Sequence, residues 1–331
     1  MTDNEFILQD RLGVIRDTIH KYGEENFYIS FSGGKDSTVV HHLVDMALPN
    51  NKIPRVFSNT GIEFKAIVDF VKSLNDPRLV IIHPKKKVRE TLEKVGYPFK
   101  SKLYSQNYAV YRRNKDAIHR EIEKIETNPK LKEDYEYIHN LPKGVKAVIK
   151  FIYNLRERER EREIGESTFI GTFPNILRYQ WDLDMNISDK CCLEFKEKPL
   201  EKWEKENKKP YKILGLMREE GGRRAFTNCV VFRGNRLHSF QPLAKVTKDW
   251  EEWFIDQYNI QLCELYYEPY NFERTGCVGC PYSIRIQEEL ETLERVLPSA
   301  RRQAEYLWQP VYEEYRRIGY RLKREEQTKL F

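Results

Sequence analysis

A chain of 331 residues with 40% hydrophobic and 13% aromatic residues can hold one large α/β domain with an appendage, or two modest domains. A charged fraction of 33%, a mean hydropathy of −0.71 and the lack of any apolar run near the ~20 residues that span a bilayer speak against a membrane protein. The net charge of +6 permits nucleic-acid binding without demanding it, because Lys and Arg are mixed with Glu; the opening Met1-Thr-Asp-Asn-Glu lacks a basic and apolar leader, so a cytoplasmic protein is expected.

Leu8, Leu12, Ile15 and Ile19 recur at helical spacing and predict an N-terminal helix. Tyr28 to Ser32 reads as a buried strand. It runs into Ser32-Gly33-Gly34-Lys35-Asp36-Ser37, after which Val39, Val40, Leu43, Val44 and Met46 begin a helical stripe. A glycine pair between strand and helix lets the main chain approach a ligand closely, and the helix that follows offers N–H groups and a positive dipole end suited to phosphate. Ser32 and Ser37 add hydroxyls and Lys35 a mobile charge; the spacing is not that of the longer Walker-type loop. Pro54 to Ser58 predicts a second strand ending in Asn59-Thr60-Gly61, Ile62 to Leu74 a helix, and Leu79 to His83 a third strand. Strands and helices alternating at this interval predict a doubly wound parallel sheet, α/β in class. Ligands of such sheets sit beyond the carboxyl ends of the strands, which would gather residues 32–37, residues 59–61 and His83 around one nucleotide. His83 by itself reads as a residue packed at its strand end.

From residue 91 to 165 Lys, Glu, Arg and Tyr dominate, and residues 154–163 alternate in sign, which predicts a charged helical insertion. Tyr104, Tyr108 and Tyr111 beside Arg112 and Arg113 suit stacking on unpaired bases, and equally an amphipathic helix that buries its tyrosines. Residues 168–171 would return the chain to the core. Tyr211 to Met217 predicts a strand running into Arg218, Arg223 and Arg224, a glycine-rich turn suited to anions. Cys229 to Phe232 predicts a further strand with a turn at Gly234-Asn235, Thr247 is placed to cap a helix carrying Trp250, Trp253 and Phe254, and the C-terminal third reads as charged helix. The domains are therefore taken as an α/β domain from 1–90 and 166–245, the insertion 91–165, and a cysteine-pair segment with C-terminal helices over 246–331.

Six cysteines in a cytosolic chain are poor candidates for disulfides. Cys191 and Cys192 are adjacent, Cys277 and Cys280 form a C-x-x-C turn eased by Gly276 and Gly279, and Cys229 and Cys263 stand alone. Thiolates favour both zinc and iron–sulfur centres. Adjacent side chains diverge, which fits two irons of a cubane better than one zinc ion; unligated core thiols remain a third reading. Cys229 and Cys263 read as core thiols.

Ser32 to Ser37 resembles the pyrophosphate loop of the ATP pyrophosphatase (adenine nucleotide alpha-hydrolase, HUP-like) superfamily, whose members cleave ATP between the α and β phosphates. Lys190-Cys-Cys through Pro199-Leu200, Gly215 to Arg218 with Arg223 and Arg224, Gln241-Pro-Leu-Ala244, and Thr275-Gly-Cys-Val-Gly-Cys280 resemble, in order, the landmarks of the adenylylsulfate and phosphoadenylylsulfate (PAPS) reductase family. The adenylylsulfate-reducing branch holds a [4Fe–4S] cluster on two such cysteine pairs. Two departures matter. Reductases have a degenerate phosphate loop, whereas Lys35 and Asp36 are present here. Reductases also carry a nucleophilic cysteine near the C-terminus, and no cysteine follows Cys280. An intact loop joined to four such cysteines is similar to the sulfur-transfer proteins of DNA phosphorothioation systems and to cluster-dependent tRNA thiolation enzymes.

The resemblance implies an ATP-dependent, adenylylating sulfurtransferase. Ser32, Gly33, Gly34, Lys35, Asp36 and Ser37 would hold the β and γ phosphates, with Asn59, Thr60 and Gly61 beside the nucleotide. Lys35, Asp36 and Arg218 would act in catalysis, Asp36 also on Mg²⁺. Arg218, Arg223 and Arg224 would meet the α-phosphate or a substrate anion, and Cys191, Cys192, Cys277 and Cys280 would carry a [4Fe–4S] cluster, or zinc in the alternative. A cysteine desulfurase as donor and DNA or RNA as acceptor are the implied partners; the assembly state, a homo-oligomer included, is not legible. The rival readings are a sulfonucleotide reductase using Cys229 or Cys263, and a non-catalytic nucleic-acid-binding or regulatory subunit.

Overall fold

The computed structural model describes residues 1–153, 155 and 183–323. The sign-alternating stretch 154–163 falls almost wholly outside the described residues, and residues 168–171, expected to return the chain to the core, lie outside them altogether. The chain divides into two compact units, the first built from Met1–Val88, Cys192–Cys280 and Glu288–Ala304, the second from Arg89–Cys191, Pro281–Gln287 and Glu305–Phe331.

The first unit is organised by a six-stranded sheet of β1 (Phe27–Ser30), β2 (Arg55–Ser58), β3 (Leu79–Ile82), β4 (Tyr211–Ile213), β5 (Val230–Arg233) and β6 (Arg236–Phe240), in the order β3-β2-β1-β4-β6-β5. Every pairing is parallel except β5 with β6, so the α/β class holds with one antiparallel edge. That exception follows from the two-residue turn at Gly234-Asn235, which can only fold β5 back on β6 as a hairpin. Phe27, Tyr28 and Ile29 are all fully buried, as a strand covered on both faces requires. Helix α1 (Asp3–Tyr22) buries Leu8, Leu12, Ile15 and Ile19, and Thr2 with Glu5 closes a capping box at its start. It packs on α2 (Lys35–Ala47), as does the helix Lys248–Gln257, capped by Thr247 and burying Trp250 and Phe254.

Since β1 lies between β2 and β4, the chain reverses its direction of travel across the sheet at β1, and the glycine loop leaves the sheet at that switch point. Strand β4 is shorter than expected, ending at Ile213. Beyond it, the Gly215 main chain passes so close to α2 that a Cβ there would lie 2.8 Å from the Asp36 carbonyl carbon and oxygen.

The second unit is helical. Lys102–Arg113, Lys115–Thr127, Tyr135–Asn140 and Lys143–Ile152 surround a core of Ile118, Ile122, Ile125, Val148 and Ile149. Tyr104, Tyr108 and Tyr111 are fully buried in it, so of the two readings of these tyrosines the amphipathic helix is the one formed, and none of these three rings is left for a base to stack on. Among the described residues no helix is long and apolar enough to cross a membrane.

Candidate functional site

The loop from Ser32 to Ser37 is tied together internally. Gly33 has φ +71, and a Cβ on it would meet Val71 Cγ2 at 2.7 Å on α3 (Lys65–Ser73), so only glycine serves. The Ser32 N–H donates to Ser37 Oγ at 3.2 Å, the two hydroxyls lie 3.0 Å apart, and Ser37 Oγ donates to the Gly34 carbonyl at 2.9 Å. Ser32 itself is exposed. The Lys35 N–H at the start of α2 donates to Tyr266 Oη at 2.9 Å, and that oxygen lies 2.7 Å from Thr275 Oγ1. The Lys35 ammonium is 3.8 Å from the exposed Glu252. A cavity of about 740 Å³ opens beside Lys35, bordered by Glu252, Asp256, Asn259, Tyr266 and Tyr267.

Two further acids, Glu220 and Glu251, act on Asp36 of this loop. Burial, then the Glu220 carboxylate, raises the Asp36 pKa, against the pull of Arg274 and Arg224. Glu220 is itself bonded to Arg224 and Arg274. Glu251, fully buried on the helix Lys248–Gln257, has no hydrogen-bond partner on either carboxylate oxygen among the described residues. Burial, then Asp36, pushes its carboxyl up to about 8. Carboxylates crowded in this way are stabilised by a cation. Arg218 is committed elsewhere, its Nε donating to the Thr227 carbonyl and a terminal nitrogen to Asn228 Oδ1, both at 2.6 Å. The side chain of Arg223 lies outside the described atoms.

The turn after β2 leads to the second cysteine pair. The Thr60 N–H and hydroxyl donate to Glu63 Oε2 at 2.8 and 2.6 Å, and the Gly61 N–H donates to Asn59 Oδ1 at 3.1 Å. Glu63 pairs with Cys277 in an antiparallel bridge, while the Val278 N–H donates to the Ile62 carbonyl at 2.7 Å. His83, in contrast, is exposed at the end of β3 and is not the packed residue expected.

Cys277 turns back through a Cys280 N–H to Cys277 carbonyl bond of 3.2 Å. Burial raises the Cys277 thiol pKa, opposed by the ammonium of Lys196, while Glu63 and Cys192 raise it further. The Lys196 pKa is raised in turn, first by the Cys277 thiolate and then, against burial, by Glu63, 3.4 Å away. Cys192, Cys277 and Cys280 belong to the first unit and Cys191 to the second. The three sulfurs of the first unit do not all lie within 4.8 Å of one another. Sulfurs on a tetrahedral zinc would stand about 3.8 Å apart, given Zn–S bonds of about 2.3 Å. The described thiols of this unit are therefore not gathered as tightly as a closed zinc site requires. Burial raises the pKa of both remaining thiols, and Cys263 is 1% exposed, so neither is set up as a thiolate nucleophile.

Residue patterns did not single out Lys196, Glu63, Tyr266, Glu220 or Glu251, and Thr275 entered only as the first residue of the second cysteine motif. Lys196 did carry a cue, standing one helical turn after Cys192.

A model of the phosphoadenosine phosphosulfate reductase domain matches residues 26–131 and 124–283. An uncharacterized protein of Methanocaldococcus jannaschii is 37% identical over 94 residues, 27% of this chain, and the chain spans 22% of that relative's length. Among solved structures, phosphoadenylyl-sulfate (PAPS) reductase from Candida auris, a phosphate complex, aligns over 80% of this chain and 91% of its own at 12% identity and a TM-score of 0.39. The U34-tRNA thiolase NcsA from Methanococcus maripaludis with its [4Fe-4S] cluster aligns over 97% and 82% at 16% identity and a TM-score of 0.36. At these TM-scores neither likeness carries an argument.

Proposed function

This chain belongs to the phosphoadenosine phosphosulfate reductase domain family, and on that premise we propose that it is an ATP-dependent sulfur-transfer enzyme. The observation that carries the reading is the intact phosphate loop, bonded through Tyr266 to Thr275 just ahead of Cys277, in the same unit as a second link from Thr60 through Glu63 to that cysteine.

The N–H groups at Gly33, Gly34 and the start of α2 would hold the β and γ phosphates. Lys35, whose ion pair with an exposed glutamate is weak, turns onto them. Asp36 would take the Mg²⁺ that neutralises the departing pyrophosphate. Arg224 and Arg274, brought together on Glu220, would meet the α-phosphate. An oxygen of the acceptor attacks the α-phosphorus, the P–O bond to the β-phosphate breaks, and pyrophosphate leaves with the bonding electrons. A sulfur nucleophile then attacks the activated atom, and AMP leaves with the acceptor's oxygen. Cys192, Cys277 and Cys280, with Cys191 next in the chain to Cys192, are the thiols that would hold a [4Fe–4S] cluster, which when bound supplies a site for the incoming sulfur. Lys196 holds a positive charge against Cys277 and so favours anionic sulfur there. A nucleic-acid acceptor and a cysteine desulfurase as donor are the partners that the motif content suggests. The reductase alternative is weaker, because burial keeps Cys229 and Cys263 protonated.

Exchange of labelled pyrophosphate into ATP, with protein purified without oxygen and candidate acceptors present, tests this. The wild type should exchange and contain iron and sulfide; Lys35→Ala should lose at least ~100-fold in exchange, the scale of one electrostatic group at a transition state, and keep its iron. Sulfite release from a labelled sulfonucleotide, with no exchange, would replace this reading with the reductase.

A further inference from the structure

The first N–H of a helix has no partner within the helix, and in a phosphate loop it is the group an anion takes. In this chain the Lys35 N–H is already engaged by the oxygen of Tyr266, 2.9 Å away. The same oxygen lies 2.7 Å from Thr275 Oγ1, and both hydroxyls stand 3.3 Å from where a Cβ on Gly34 would be. Tyr266 Oη thus sits where a phosphate oxygen would accept. Since it accepts from Lys35, its own proton is available to Thr275. Burial raises the phenol's pKa, which keeps that proton in place.

Thr275 is two residues ahead of Cys277. Between them Gly276 has open space around it, and after them the Cys280 N–H closes the turn on the Cys277 carbonyl. A group that takes the Lys35 N–H must dislodge the Tyr266 oxygen, and Thr275 then loses its partner at the edge of the cysteine turn.

We infer that Tyr266 is a positioning residue that occupies the triphosphate seat when no nucleotide is bound and, through Thr275, makes the Cys277–Cys280 turn respond to nucleotide. The inference rests on reading residues 32–37 as a triphosphate seat. It does not depend on which metal the cysteines hold.

The probe is α,β-methylene-ATP with Mg²⁺, titrated calorimetrically into the full chain, with hydrogen–deuterium exchange of residues 275–280 followed with and without it. In the wild type the analogue should speed exchange over 275–280. Tyr266→Phe keeps the ring and removes the competing oxygen, so the analogue should bind about fivefold more tightly, the scale of one neutral hydrogen bond. Exchange at 275–280 should then no longer depend on nucleotide. Thr275→Ser should behave as wild type, and Thr275→Val should lose the response. Unchanged or weaker binding by Tyr266→Phe, or a response that survives in it, overturns the inference. Wild-type binding without any response at 275–280 removes this inference alone; no wild-type binding at all removes the triphosphate reading and this with it.

Discussion

Glu251 shows how much one buried carboxylate can govern. Its neighbours along the helix, Trp250 and Phe254, are apolar and buried, so an acid at this place is deprived of water and set beside Asp36, Lys35 and Glu220. A carboxyl raised to about 8 from the usual 4.5 keeps its proton in the folded chain and releases it on unfolding. Between those two values the unfolded state binds fewer protons, so stability must fall as pH rises, by at most about 1.4 kcal/mol per pH unit for one group. Glu251→Gln should therefore be more stable than wild type at pH 7.5, by about 1–3 kcal/mol, and the two should converge near pH 5. Urea unfolding from pH 5 to 8 reads this directly; parallel pH profiles would show that Glu251 is ionised in the fold. The alternation of residues marks position 251 only as helical, and the acid's burial follows from the packing of its helix on α2.

At the scale of elements, the site depends on how closely the chain just after β4 can run past α2. Gly215 is the contact point, where an added Cβ would be 2.8 Å from the Asp36 main chain and 3.0 Å from the Ser37 nitrogen. Both neighbours are backbone, so a helix turn rather than a side-chain tip has to move. Gly215→Ala should weaken binding of α,β-methylene-ATP by about tenfold or more while costing stability only about 1–3 kcal/mol, the usual cost of overpacking. Calorimetric titration and a thermal melt together separate the two, and unchanged affinity would show that the loop does not depend on this approach. A second cluster on these elements has a different meaning. His41, Asp45 and Asp76 bring ligand atoms within 4.8 Å of one another, as a metal site would. Arg55, 1% exposed, and Arg78 already neutralise both acids, and the Arg55 Nε donates to His41 Nδ1 at 3.0 Å. A cation there would meet two guanidinium groups, so the cluster is an ion-pair network joining α2 to β2 and to the turn before β3.

At the scale of the molecule, neither unit is continuous in sequence, each being assembled from three stretches. The nucleotide loop and the strands that flank it on one side come from the first stretch, but β4, β5 and β6 come only after residue 191. A chain ended after residue 191 would leave β1, the most central of the early strands, with its edge bare. Such a fragment should show no cooperative thermal transition by circular dichroism and should aggregate on gel filtration; a sharp melt of a monomer would contradict the pairing of β1 with β4.

The strand, glycine loop and helix of residues 27–47, the cap at Thr247 and the hairpin turn at Gly234-Asn235 were legible because each is decided by residues within a turn or two of one another, through period, dihedral preference and capping. The order of the motifs and the spacing of the cysteines also pointed to the family, since chemistry of that kind is carried by residue type. The contacts that make a site of these parts are of another kind. Tyr266 meets Lys35 from 231 residues away, Glu63 meets Cys277 across a bridge, and Tyr104 to Tyr111 turn inward. Those outcomes belong to the tertiary structure, because each follows from which strands lie side by side and which helix covers them, and local preference carries no record of either.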